Sequence, residues 1–430
     1  MNTSFPQTAR PVTAADSLEN RKSPAAASGP GDDGRFPDLI FVSLENWDEI
    51  WRRNQFICDE LARRFPRSKI LFVAPPRDVS NQLRRGHWRA LAENAADGWT
   101  VPATHNITVV RPLKLLPNTL AVGRWFNGWL ARRHVRLCAR SLGLRSPVLW
   151  LNDHGAVHMA GKVGEHGVIY DVTDDWVEFA PTPRERRLAQ RQDARLCAVA
   201  DAVITCSERL YQDKRKIAHT VHLIPNGVDP GHYDKVLDGR GPLPSAVAAW
   251  PKPVAGYVGT VHPSRVDVAL VASLARRFAP SSVVLLGPDH LTPADRALLA
   301  PLKNVFLVPA VPYAEVPAYM QAFDVCLVPH VVTPFTESLN PIKLWEYLAA
   351  GRPIVSTRVA GFRDYPEHVY LAATAAEFAG AIALALEEPE ERSHRRKSTA
   401  RLHSWASRVD QIVGVVRACA QPPEAAAARV

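Results

Sequence analysis

The chain has 430 residues, 47% hydrophobic and 22% charged, which is enough for two or three domains with full cores. Its six cysteines (Cys58, Cys138, Cys197, Cys206, Cys326 and Cys419) include no C-x-x-C, which excludes a zinc ribbon or a disulfide framework and fits a reducing cytosol, and no run of about 18 apolar residues marks a spanning helix. The net charge of +9 suits anionic partners, but no zinc-finger spacing, RNP motif or helix-turn-helix accompanies it, so nucleic acid is not an expected partner.

Residues 1–35 are rich in Pro, Ala, Ser, Gly and Asp and read as a disordered tail without a signal-peptide pattern; 421–430 read the same way. Residues 36–238 alternate apolar runs with helical stretches. The pattern predicts strands at 38–43, 69–74, 107–111, 148–152, 168–172, 202–206 and 221–224, and helices at 48–65, 120–142, 184–199 and 207–217. The four prolines in 239–253 mark a linker. In 254–390 the predicted strands are 254–258, 282–286, 305–308, 325–328, 353–356 and 368–371, with helices at 265–278, 293–299, 314–322, 341–350 and 375–386. Residues 391–420 read as a closing helix through Trp405, Val409 and Ile412. The fold class is α/β, two Rossmann-like halves facing across a cleft, where ligands bind in such folds. Neither half contains G-x-G-x-x-G, which argues against a dinucleotide-dependent oxidoreductase.

The stretch from Asn340 to Val355 is the most informative. Asn340 is a good N-cap, Pro341 suits the first helical turn, Gly351 can close the helix in the left-handed conformation, and Pro353 stops it. Lys343 and Glu346 share one face near the N-terminal end, whose free N–H groups suit a phosphate. A carboxylate one turn further in can accept hydrogen bonds from a ribose diol. The alternative is an ordinary capped helix with a surface Lys–Glu pair.

Asp171, Asp174 and Asp175 cluster at the end of a predicted strand, and Asp153 and His154 end the strand before it. Carboxylates and a histidine at that sheet edge can act as a base or hold an acceptor; turns and helix caps are the alternative. The segment 120–142 carries Trp125, Phe126 and Trp129 at one end and Arg132, Arg133, Arg136 and Arg140 further along, a pattern suited to an anionic membrane surface or to a packed helix with a basic solvent face.

The run from Asn340, together with Ile169–Trp176, Ile224–Asp229 and Phe323–Pro329, resembles the GT-B glycosyltransferases, especially the bacterial group of teichuronic acid and exopolysaccharide biosynthesis. The resemblance spans 38–419. It implies that the C-terminal helix returns to the first domain, and that a sugar moves from a UDP- or GDP-linked donor to a saccharide or lipid-linked saccharide acceptor, without a metal or other cofactor. It implies Glu346 for the ribose, and Lys343 with the amides around Leu339 and Asn340 for the diphosphate. Gly259 and Arg265 fall where the family approaches phosphate, with His262 beside them, and Val311 where it reads the nucleobase. Ser338 stands where many retaining members carry a first glutamate, with Glu337 adjacent, so the resemblance implies neither the donor sugar nor the stereochemistry. Asn46, Trp47 and Arg53, after the first strand, are expected to face the acceptor. A nucleotide-sugar epimerase of the same architecture and a non-catalytic binder are the rival readings. A cytoplasmic protein on the inner membrane face is the expected setting.

Overall fold

The computed structural model describes residues 36–84, 100–102, 106–180, 182–239 and 241–420. The two expected tails lie outside them. In the first half the strands are β1 (Leu39–Val42), β2 (Ile70–Val73), β3 (Arg77–Asp78), β4 (Thr100–Pro102), β5 (Ile107–Val110), β6 (Leu113–Lys114), β7 (Val148–Leu151), β8 (Gly167–Val172), β9 (Ala202–Thr205) and β10 (Val221–Leu223). One sheet runs β10-β9-β8-β7-β1-β2-β5-β4, parallel except for β4, and β3 pairs with β6 apart from it. In the second half β11 (Val254–Val258), β12 (Ser282–Leu286), β13 (Val305–Val308), β14 (Val325–Val328), β15 (Ile354–Ser356) and β16 (Val369–Leu371) form a parallel sheet ordered β13-β12-β11-β14-β15-β16.

The central strands read as unbroken apolar runs, LIFV in β1 and VLWL in β7, because helices cover both faces of a parallel sheet. One face of the first sheet packs Phe56 and Ile57 of helix Arg53–Arg64 together with Trp405, Val409 and Ile412 from the end of the chain. The C-terminal helix therefore returns to the first half. The other face packs Val135 and Cys138 of helix Ala121–Ser141.

Three departures from the sequence pattern have local causes. The helix expected from 48 begins at Arg53, because the Asp48 carboxylate accepts from the Ile50 amide at 3.0 Å and turns the chain first. The helix expected from Arg265 begins at Val268, where the Asp267 carboxylate caps Leu270 at 2.8 Å. The closing helix is two, Glu390–Leu402 and Trp405–Cys419. At the break the Val228 amide donates to His403 (3.0 Å) and Trp405 donates back to Val228 (2.9 Å), so the chain leaves helical geometry as it crosses between the halves.

Candidate functional site

In each sheet the strand order reverses beside the first strand, and loops leaving there on either side open a crevice. In the first sheet the reversal lies between β1 and β7, so the loop from Ser43 to Arg52 faces Asp153 and, one strand on, Asp174. In the second it lies between β11 and β14, so the turn at Gly259 faces His330.

On the second-half side, Gly259 takes φ +138°, and a Cβ there would sit 2.2 Å from Lys343 Cε and 2.4 Å from Nζ. The glycine is needed both for its backbone and for the space the lysine fills. Lys343 Nζ lies 5.3 Å from the centre of the Tyr257 ring, and Tyr257 Oη lies 3.2 Å from His330 Nε2. Burial, then the nearby Arg265 guanidinium, pull the Lys343 ammonium down to about 8, opposed by Glu346. Arg265 leaves the same turn and lies 5.4 Å over Phe335. Among the described residues neither Lys343 nor Arg265 forms an ion pair, which leaves two neighbouring cations facing the cleft. One turn along, Glu346 accepts from the buried Tyr233 hydroxyl at 2.9 Å, and burial raises its carboxyl.

On the first-half side, Asp174 is pushed up to about 6 by burial, with Arg265 opposing and Asp175 adding to the rise. Glu45, which the sequence pattern gave no reason to single out, is pushed up to about 7 by burial; Arg52, 3.7 Å away, opposes this and Asp174 adds to it. Arg265 acts on both carboxylates, so the second half's cation faces the first half's acids. Beside them a cavity of about 960 Å³ reaches from Ser43 and Asp153 past His158 to Arg124 and Trp125.

Comparison with known proteins follows this layout. Residues 252–388 match the family described as "Glycosyl transferases group 1". The putative teichuronic acid biosynthesis glycosyltransferase TuaH of Bacillus subtilis (strain 168) is 27% identical over 225 residues, 49% of this chain. The chain spans 55% of that relative's length. Sucrose-phosphate synthase from Thermosynechococcus elongatus superposes with a TM-score of 0.67 at 17% identity, covering 89% of this chain and 98% of that one. HepE from Anabaena, in complex with UDP and glucose, gives 0.63 at 15% identity, covering 89% and 99%. The fold is GT-B.

Several residues expected at the GT-B site are engaged elsewhere. Arg53, expected on the acceptor side, is 3% exposed. Its guanidinium grips both oxygens of the fully buried Asp171 (3.1 and 3.2 Å) and reaches Asn226 Oδ1 at 3.1 Å. Trp47 packs edge-on against Phe72 with ring centres 5.0 Å apart, joining the first core. Asn46 is exposed and bonded to Arg111. Asp175 caps the short helix Trp176–Phe179 by accepting from Glu178 N at 3.1 Å. Asp153 caps His154–Met159 through Gly155 N at 2.7 Å; burial raises its carboxyl, and His154 and that amide oppose the rise.

The residues preceding the Lys343 helix also differ. Ser338 is fully buried; its hydroxyl donates to Phe335 O (2.7 Å) and its carbonyl accepts from Ser207 (2.6 Å). Leu339 is buried beside it. Pro341, not Asn340, occupies the N-cap position, and Asn340 instead joins the two halves. Its side-chain oxygen accepts from Asn226 N at 2.9 Å, and its backbone interacts with the Cys206 thiol. Glu337 is bonded to Arg363 and accepts from Ala360 N at 3.1 Å. Val311 packs against the second core, and two residues on Tyr313 N donates to Glu49 O across the cleft at 2.9 Å. His262 Nδ1 is taken up by Ser264. The C-terminal side of the Lys343 helix follows the sequence pattern, with Gly351 at φ +72°. Among the described residues no three His, Cys, Asp or Glu side chains converge as metal ligands.

Proposed function

We propose that the protein is a glycosyltransferase that moves a sugar from a nucleotide-diphosphate donor to a saccharide or lipid-linked saccharide acceptor in cell-surface polysaccharide synthesis. The observation that carries this reading is the pair Lys343 and Arg265, unpaired beneath the Gly259 turn, with Glu346 held by Tyr233 one turn beyond. The two cations take the diphosphate and Glu346 the ribose diol. HepE was solved with UDP and with UDP-glucose, and this favours a uridine donor.

In the reaction the bond from the anomeric carbon to the diphosphate oxygen breaks, and its electron pair leaves on the diphosphate beside Lys343 and Arg265. A bond forms from an acceptor hydroxyl oxygen to that carbon, and the hydroxyl proton passes to the Glu45–Asp174 pair. The acceptor occupies the cavity that Asp153 helps to line, with His154 next in the chain. Neutralising the leaving group with side chains gives a reaction independent of added metal, so chelation leaves the rate unchanged.

Calorimetric titration with UDP, GDP and ADP tests the donor site. One diphosphate is expected to bind, weakened about tenfold or more by Lys343→Ala and by Glu346→Ala, the size of a lost charged hydrogen bond. No binding, or binding indifferent to both changes, would overturn the reading. Donor turnover without any acceptor would mark an epimerase, and binding with no turnover a binding protein.

A further inference from the structure

Helix Ala121–Ser141 divides its residues sharply between two faces. Gly123, Asn127 and Gly128 dock it inward. A Cβ on Gly123 would meet Pro117 O at 2.1 Å, and one on Gly128 would meet His158 Cδ2 at 2.3 Å. The Asn127 side chain accepts from Leu115 N (3.0 Å) and Leu116 N (3.1 Å) and donates to Leu116 O (2.7 Å). Ala131, Val135 and Cys138 continue that face into the core.

On the opposite face, Val122, Trp125, Trp129, Arg133, Arg136 and Arg140 follow one another at three- and four-residue steps and form one straight stripe. All six are exposed: Trp125 at 67%, Val122 at 69% and Trp129 at 43%. Both tryptophans occupy one end and the arginines the other, with Leu137, 52% exposed, between Arg136 and Arg140; the two ends join where the Arg133 guanidinium sits 6.0 Å from the Trp129 ring centre. Leu120, 67% exposed, extends the apolar end. Phe126 and Arg132, which belong to the same sequence pattern, turn aside: Phe126 is half-buried, and Arg132 donates to His158 O at 3.3 Å. Helix Pro183–Val199 packs on the same turn at His154–Met159 and adds exposed Arg184, Arg187 and Arg191 at matching steps. Arg184 ties this helix to the segment leading into helix Ala121–Ser141, donating to Thr119 O at 3.3 Å.

We propose that this stripe docks the first half on an anionic lipid bilayer. The Trp125 and Val122 end enters the interface and the arginines lie along the phosphate headgroups. Two observations select a bilayer over other partners. Nucleic acid would engage the arginines but would leave Leu120 and Val122 in water, and the segregation of two tryptophans from three arginines along one helix matches the boundary between acyl chains and headgroups. The second observation is the cavity. Its lining includes both Trp125 and Asp153, so one continuous space runs from the apolar end of the stripe to Asp153 at the end of β7. Resting on the glycosyltransferase reading, this makes the acceptor a membrane-resident, lipid-linked saccharide that enters past Trp125, while the nucleotide sugar arrives from solution on the other half.

Co-sedimentation of the full-length protein with phosphatidylcholine vesicles, with and without phosphatidylglycerol, tests the docking. Binding is expected to the mixed vesicles and to fall at least tenfold on pure phosphatidylcholine, in Trp125→Ser/Trp129→Ser and in Arg133→Glu/Arg136→Glu. These changes lie on an exposed face, and a UDP titration of each variant, expected to match the unchanged protein, verifies folding and keeps the donor site separate. If UDP fails to bind anything while vesicle binding behaves as described, the docking stands and the transferase reading falls. Equal binding by all variants, no binding to anionic vesicles, a tryptophan-dependent dimer in place of vesicle binding, or DNA binding that ignores the tryptophan changes would each overturn the docking.

Discussion

Two cationic regions lie on opposite sides of the cleft and differ in whether they have partners. Arg53, in the first half, is buried and fully occupied by Asp171 and Asn226. Lys343 and Arg265, in the second, lie near each other and form no close ion pair among the described residues; Glu346 acts on the lysine, and Glu45 and Asp174 on the arginine, only from a distance. A buried cation that has its counter-ion in contact holds the fold together; cations placed side by side without a close one repel each other, and a bound anion relieves that repulsion. The difference sets a structural arginine apart from the two cations of the proposed donor site, which composition and sequence position alone do not distinguish.

The largest expected effect breaks the paired region. Arg53→Met leaves the Asp171 carboxylate alone where it is fully buried, and should cost about 3–5 kcal/mol in chemical denaturation. A loss below about 1 kcal/mol would mean that the pair does not hold the sheet edge. Lys343→Met should do the reverse. The lysine's folded value, about 8, lies below its ordinary 10.5, so the unfolded chain holds the proton more tightly and the charge opposes folding at pH 7. That opposition is complete below pH 8 and fades as pH rises toward 10.5. The variant should therefore gain roughly 1–3 kcal/mol at neutral pH while losing nucleotide affinity. Gly259→Ala perturbs the same region without removing charge. Its Cβ collides with the lysine at 2.2 Å and the backbone is strained, so donor affinity should fall about 10- to 100-fold, with a stability loss of about 1–3 kcal/mol.

The carboxylates across the cleft give the comparison a pH signature. Asp174 and Glu45 accept a proton only once ionised, so kcat/KM should climb as pH rises past about 6 and then about 7. It should fall above about 8 as Lys343 loses its charge. Glu45→Gln should remove the limb near 7, leave the one near 6 and lower kcat several-fold. An unchanged profile would place the base elsewhere.

The sequence revealed most where the chemistry is local. The central strands of both sheets are buried apolar runs, and the end of the Lys343 helix is written in the backbone preferences of Gly351 and Pro353. Pairings across long separations were not legible. Arg53 meets Asp171 118 residues away, and Asn340 gives up the expected cap for Asn226, 114 residues away. Arg265 and Lys343 come together only because β11 and the Lys343 helix face each other. Glu45 had one signal, its place just after β1, and that position carries meaning only once the strand order shows a reversal there. The exposed stripe of helix Ala121–Ser141 was half legible: helical spacing collects its residues, but the docking contacts of Gly123, Asn127 and Gly128 decide which side faces out.

The smallest effect tests whether adjacent acids can be told apart by their partners. Asp175 and Asp174 are neighbours in sequence, yet Asp175 accepts from Glu178 N at 3.1 Å as a helix cap while Asp174 faces Arg265. Asp175→Ala should cost about 1 kcal/mol of stability, the ordinary loss of a cap, and change kcat less than threefold, since an alanine still leaves Asp174 and Glu45 in place. Asp174→Ala should do the opposite, barely moving the denaturation midpoint, because removing a carboxylate held up by burial relieves a cost, and cutting kcat strongly. If the two variants lose activity equally, the cap is positioning Asp174, and stability and catalysis are joined at this turn. The conservative Asp175→Asn separates the cases: it keeps the capping oxygen, so it should restore activity if positioning is the role and should change nothing further if Asp175 itself meets the acceptor.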